Sequence, residues 1–139
     1  MPTSLRHRAR IVALQTLYEL EFAANRVKDI LDRNLQEREI SGDMAEFAGS
    51  LVSGVVDNTK LLDETIGRFA KAFPVDQLAV MDRNILRLAL FEIIITKEVP
   101  PKVAINEAVE LAKEFGADTT PKFINGVLGS VISEIKKTA

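Results

Sequence analysis

Apolar residues recur at three- and four-residue steps along nearly the whole chain, and this periodicity restricts it to packed helices. From Ser4 to Ala24 the series Leu5, Ala9, Val12, Leu17, Leu20 and Ala24 predicts an amphipathic first helix. Val27 to Glu39 sets Val27, Ile30, Leu31 and Leu35 on one side, until Ile40-Ser41-Gly42-Asp43 ends it and offers Asp43 as a cap for the next. Met44 to Ala72 reads as one long helical stretch, with Phe47, Leu51, Val55, Leu62, Ile66, Phe69 and Phe73 able to face a core. Gly49, Gly54 and Gly67 interrupt it, and because each costs about 1 kcal/mol against Ala, they are expected at close helix contacts or a bend. Pro74-Val75-Asp76 is the clearest boundary and divides one domain, 1–139, into halves of about 1–73 and 74–139. Leu78 to Thr96 carries the stripe Leu78, Met81, Ile85, Leu88, Phe91 and Ile95. Its β-branched end, Ile93 to Thr96, stays in helical phase and has no partner strand elsewhere. Val99-Pro100-Pro101 stops that helix and starts another, which runs through Ala104, Ala108, Leu111 and Phe115 to Gly116. Thr119-Thr120-Pro121 repeats the start signal, for a last helix from about Pro121 to Lys136. The expected fold is all-α, with six or seven helices.

Composition narrows the chemistry. A chain of 139 residues that is 47% hydrophobic has the size and apolar content of one cored domain. It contains no cysteine, which excludes disulfides, thiolate zinc sites and cysteine nucleophiles. The one histidine, His7, lies among arginines that disfavour a bound cation or an imidazolium, so it reads as a solvent-facing member of a basic patch. Glu107, Glu110 and Glu114 share neighbouring helical positions but lack the Glu-x-x-His pairs of a di-iron bundle and read as a solvated acidic face. Phosphate-loop, dinucleotide-binding and nucleophile-elbow motifs are missing from the sequence, so neither an enzyme nor a cofactor is expected. With no apolar run of membrane-spanning length and no signal-peptide pattern, a cytoplasmic protein with no membrane partner is expected.

Charge is distributed unevenly. Arg6, Arg8 and Arg10 precede the first acid, Glu19, so the other 15 of 18 cationic side chains share the rest of the chain with all 20 acidic ones. In the first two turns of a helix these arginines oppose the macrodipole, by roughly 0.3–1 kcal/mol each when exposed. None has a carboxylate at helical spacing, so the cluster points toward an anionic ligand such as phosphate. At the far end, Lys122 and Phe123 occupy the first turn of the last helix, where free N–H groups meet phosphate and an aromatic ring can stack on an unpaired base. Gly126, inside that helix, suggests that another backbone comes close. Asp82, Arg83 and Arg87 form a charged strip on an otherwise apolar helix, a solvent face or the rim of a protein interface.

Arg6-x-Arg8-x-Arg10 leading to Gln15-Thr16-Leu17-Tyr18, then Asp82-Arg83-Asn84-Ile85-Leu86-Arg87, the run from Val99 to Gly116, and Lys122-Phe123-Ile124-Asn125-Gly126-Val127-Leu128 resemble the NusB family of bacterial transcription antitermination factors. The resemblance covers nearly the whole chain and implies two small packed helical bundles. It further implies binding of boxA RNA in nascent, chiefly ribosomal RNA, transcripts, jointly with NusE, a small-subunit ribosomal protein, within an RNA polymerase antitermination complex. Carried onto matching positions, it assigns Arg6, Arg8, Arg10, Gln15, Tyr18, Lys122 and Phe123 to RNA, and Asp82 and Arg87 to the protein partner. Two departures stand out: His7 interrupts a basic run that many relatives have unbroken, and Thr119 stands near a position that is acidic in many. The alternatives are a helical homodimeric adaptor and a separate RNA-binding subunit assisting an RNA methyltransferase.

Overall fold

The computed structural model describes residues 4–23 and 26–138, and Ala24, expected on the first helix's apolar stripe, lies outside them. Seven α-helices are present among the described residues: α1 (Leu5–Leu20), α2 (Val27–Glu37), α3 (Gly42–Asp57), α4 (Thr59–Phe69), α5 (Val80–Leu90), α6 (Pro101–Phe115) and α7 (Thr120–Thr138). The chain divides into two compact units, Met1–Asp57 and Asn58–Ala139.

In the first unit Ser4 caps α1, its hydroxyl accepting the His7 N–H at 3.1 Å. The helix packs on α2 and α3. The consecutive residues Ile11, Val12, Ala13 and Leu14 are all buried, so the middle of α1 is covered beyond the single stripe expected. Leu5, placed on that stripe, is instead exposed. Ala9, Val12, Ile40 and Ala48 form a core cluster, covered by Leu31, Leu35, Met44, Ala45 and Phe47. A buried polar link ties α2 to α1, where Asn34 Nδ2 donates to Thr16 Oγ1 at 3.1 Å and to Glu19 Oε2 at 2.9 Å.

The α2–α3 connection departs from expectation. Glu39 N–H donates to Gln36 O at 3.1 Å and Ile40 N–H to Leu35 O at 2.9 Å, the paired bonds of a Schellman motif. The left-handed residue is Glu39, at φ 56°, rather than a glycine. Gly42, at φ 62°, opens α3, so Asp43 lies in its first turn and favours the helix dipole instead of capping it.

The expected long helix from Met44 to Ala72 breaks at Asn58, which has φ −115° and ψ 16°. The division between units therefore falls after Asp57 and not at Pro74, because α4 packs against α5 and α7. Pro74 precedes a short 3-10 turn, Val75–Gln77. Leu62, Ile66, Ile85, Leu88, Leu111, Ile124 and Leu128 are fully buried in the second unit. The helix expected to run to Thr96 changes pitch after Leu90, and Phe91–Thr96 is π-helical. The Lys97 N–H closes it by donating to Glu92 O at 3.0 Å, and Lys97 at φ 55° ends it. Pro101 starts α6 and Gly116 caps it, as the punctuation implies.

Candidate nucleic-acid interface

Three arginines at every second position of a helix point in different directions, and their fates differ. Arg6 is exposed, its guanidinium carbon 4.7 Å from the centre of the Phe47 ring on α3. Arg10, one turn later, is 5.4 Å from the same ring but only 2% exposed. Arg10 thus does not belong to the solvent-facing patch where it was expected, and it acts from the interior. His7 is likewise buried and not solvent-facing, its i+3 and i+4 neighbours Arg10 and Ile11 being interior positions. Arg8 is half-buried and its Nη2 donates to the backbone carbonyl of Arg38. That carbonyl belongs to the C-cap of α2, where the unsatisfied end of the helix carries partial negative charge. A cation disfavoured at the start of α1 is therefore held at the end of α2. Arg6 and Arg8 meet a ring and a carbonyl, and among the described residues no carboxylate cancels their charge.

Further along α1, Gln15 is half-buried and its Oε1 accepts from Arg38 Nε at 3.2 Å. Tyr18 is 36% exposed and lies against Phe22, with ring centroids 5.0 Å apart and planes tilted by 55°. Phe22 is itself 65% exposed. Sequence reasoning passed over Phe22, although its i+4 spacing from Tyr18 was a usable signal. It also missed Arg38, and for Phe47, assigned simply to the core, it missed the cation-bearing face; these contacts arise only when α2 and α3 pack on α1.

In the second unit Lys122 is exposed and Phe123 half-buried, both in the first turn of α7. The start of that helix is fixed by Thr120, whose hydroxyl donates to Asp82 Oδ1 and accepts the Ala117 N–H, each at 3.0 Å. Arg87 binds Asp63 on α4 through Nε at 2.7 Å and Nη2 at 2.9 Å, and its Nη1 lies 3.5 Å from Asn84 Oδ1. Asp82 and Arg87, expected at a partner-facing rim, thus hold α5 to α7 and to α4. Gly126 meets no second backbone: a Cβ added there, or at Gly67, finds open space, and one at Gly49 finds only an ordinary contact with Leu31 at 3.6 Å. Glu110, in the acidic group on α6, pairs with Lys113 at 3.2 Å. No helix among the described residues is long and apolar enough to cross a membrane.

An all-α fold with Arg6 and Tyr18 exposed on its first helix defines the class as a small all-helical protein. The model described as the NusB family matches residues 7–133, and the chain belongs to that family. It is 50% identical over 137 residues to the transcription antitermination protein NusB of Dehalococcoides mccartyi, covering 99% of this chain and 96% of the relative. Among solved structures, T. maritima NusB superposes with a TM-score of 0.86 at 33% identity, over 96% of this chain and 94% of that one. A crystal structure of antitermination factors NusB and NusE in complex with dsRNA superposes with a TM-score of 0.83 at 28% identity, over 94% and 97%.

Proposed function

We propose that this chain is a transcription antitermination factor that binds boxA-type RNA together with NusE and joins the RNA polymerase antitermination complex, working in the cytoplasm and without catalysis. One observation carries the reading: Arg6 and Arg8 on α1 are held by a ring and a carbonyl rather than by carboxylates, so their charge stays available to phosphate. Tyr18 and Phe22 supply exposed aromatic surface on the same end of the chain, suited to stacking on unpaired bases. Lys122 and Phe123 offer a cation and a ring at the start of α7. Asp82 and Arg87 serve the partner contact indirectly, by fixing α5. Arg10 serves RNA indirectly as well, as a buried support of α1. The similarity of the fold to a NusB bound with NusE and RNA supports the same pairing here.

Titration of labelled boxA-type RNA with the protein, with and without NusE and across a salt series, tests this. Binding is expected to tighten with NusE and weaken with salt. Replacing Arg6 and Arg8 by Ala is expected to flatten the log–log salt slope by about 1.4, roughly 0.7 per single-strand phosphate contact. Equal and negligible binding with and without NusE refutes the reading.

A further inference from the structure

We infer that Arg38 is a further RNA-phosphate contact, and that Gln15 acts on RNA through Arg38 rather than on a base directly. The inference rests on the RNA-binding reading above and adds to it a residue outside the amino-terminal cluster. Arg38 is the C-cap of α2, fixed by its N–H to Asn34 O at 3.2 Å and by the left-handed Glu39 that follows. Two of its groups lie along α1. Its carbonyl accepts from Arg8, and its side-chain Nε donates to Gln15 Oε1 at 3.2 Å. Arg8 and Gln15 are two helical turns apart, about 10 Å along the axis, so Arg38 extends the cationic edge of α1 by that distance.

The one arginine within α2 gives the contrast. Arg33 is bound to Glu19, with Glu37 3.9 Å away, and is neutralised by carboxylates. Arg38 meets a neutral amide instead, and among the described residues no carboxylate pairs with it. A guanidinium whose Nε is spent on an amide still presents its terminal N–H groups, with their charge, to a phosphate oxygen. The amide oxygen of Gln15 accepts from Arg38 Nε and so fixes the guanidinium, which gives Gln15 a positioning role.

The test titrates labelled boxA-type RNA against the full chain with NusE present, over a salt series, comparing the parent with Arg38→Gln, Gln15→Met and the double variant. Arg38→Gln is expected to weaken binding about fivefold and to flatten the salt slope by about 0.7. Gln15→Met is expected to weaken binding with the slope unchanged, and to add nothing in the Arg38→Gln background. The Arg8 bond uses the backbone carbonyl, which each variant keeps, so thermal unfolding is expected to stay within about 2 °C of the parent. If Arg38→Gln keeps the parental affinity and slope, the Arg38 assignment fails while the RNA-binding reading stands. If Gln15→Met costs as much in the Arg38→Gln background as alone, the positioning role fails. Absence of salt-dependent binding by the parent overturns both readings together.

Discussion

Replacing Gly116 by Ala is expected to destabilise the second unit by steric conflict alone. At φ −92° and ψ −177° the residue is extended, a conformation open to any amino acid, so backbone strain is not the cause. A Cβ there would lie 2.6 Å from both Cβ and Cγ2 of Thr120 and 2.8 Å from its Oγ1. Thr120 cannot swing away, since one clashing atom is its own Cβ and its hydroxyl is held between Asp82 and the Ala117 N–H. The connection between α6 and α7 must therefore move. Overpacking of this kind costs about 1–3 kcal/mol, and weakening the two hydroxyl bonds adds about 1 kcal/mol or more. The restricted unfolded chain returns about 0.4–1 kcal/mol, for a net loss of about 2–3 kcal/mol. For a chain of this length that lowers the melting temperature by about 10 °C. Circular dichroism on heating measures it, with Gly126→Ala as control. Gly126 is an exposed helix position facing open space, and Ala there is expected to raise the melting temperature by a few degrees. A Gly116→Ala protein melting within about 2 °C of the parent refutes the steric reasoning.

Thr120→Val keeps the shape of a buried side chain but removes both hydroxyl bonds, one of them to a carboxylate, and is expected to cost about 2 kcal/mol in urea unfolding. Thr120→Ser is expected to retain most of that stability, and equal losses in the two variants would sink the hydrogen-bond account. Arg87→Met leaves Asp63 partly buried without its bidentate partner and is expected to cost about 2 kcal/mol, part of which Asp63→Leu in the same chain restores. A neutral Arg87→Met would show that the pair contributes nothing.

Punctuation was the legible part of this sequence. Pro100-Pro101 and Gly116 bound α6 where they stand, because the proline ring and the glycine act on their own backbone. The break at Asn58 was hidden, since Val55, Leu62 and Ile66 continue one apolar phase across it and no proline or glycine stands at the break. The turn after α2 was hidden for the opposite reason, a charged residue, Glu39, adopting the conformation usually left to glycine. Of the candidate site, residue type and spacing singled out Arg6, Arg8 and Lys122, whereas Tyr18 was named by the family resemblance alone. The burial of His7 and Arg10 was not, because charge and polarity predict solvent, whereas enclosure by packed helices is a tertiary property. Phe47 illustrates the same limit: periodicity marks it as apolar, but only the packing of α3 on α1 puts two guanidinium groups on its ring.

The π-helical turn at Phe91–Thr96 bears on which changes of chain length the protein can accept. A π-turn holds one residue more than the α-turn it replaces, here spanned by the bond from Lys97 N–H to Glu92 O. Deleting a single residue between Ile93 and Thr96 would leave one ordinary α-turn with its flanks in phase, whereas inserting a further residue there would rotate whatever follows by about 100°. Pro100, Pro101 and the buried face of α6 would then address the wrong side of α5. The exposed stretch from Lys71 to Gln77 lies outside any α-helix and can absorb an insertion or deletion at little cost. Insertions in homologous chains are therefore expected before α5 and not in the turn that follows it.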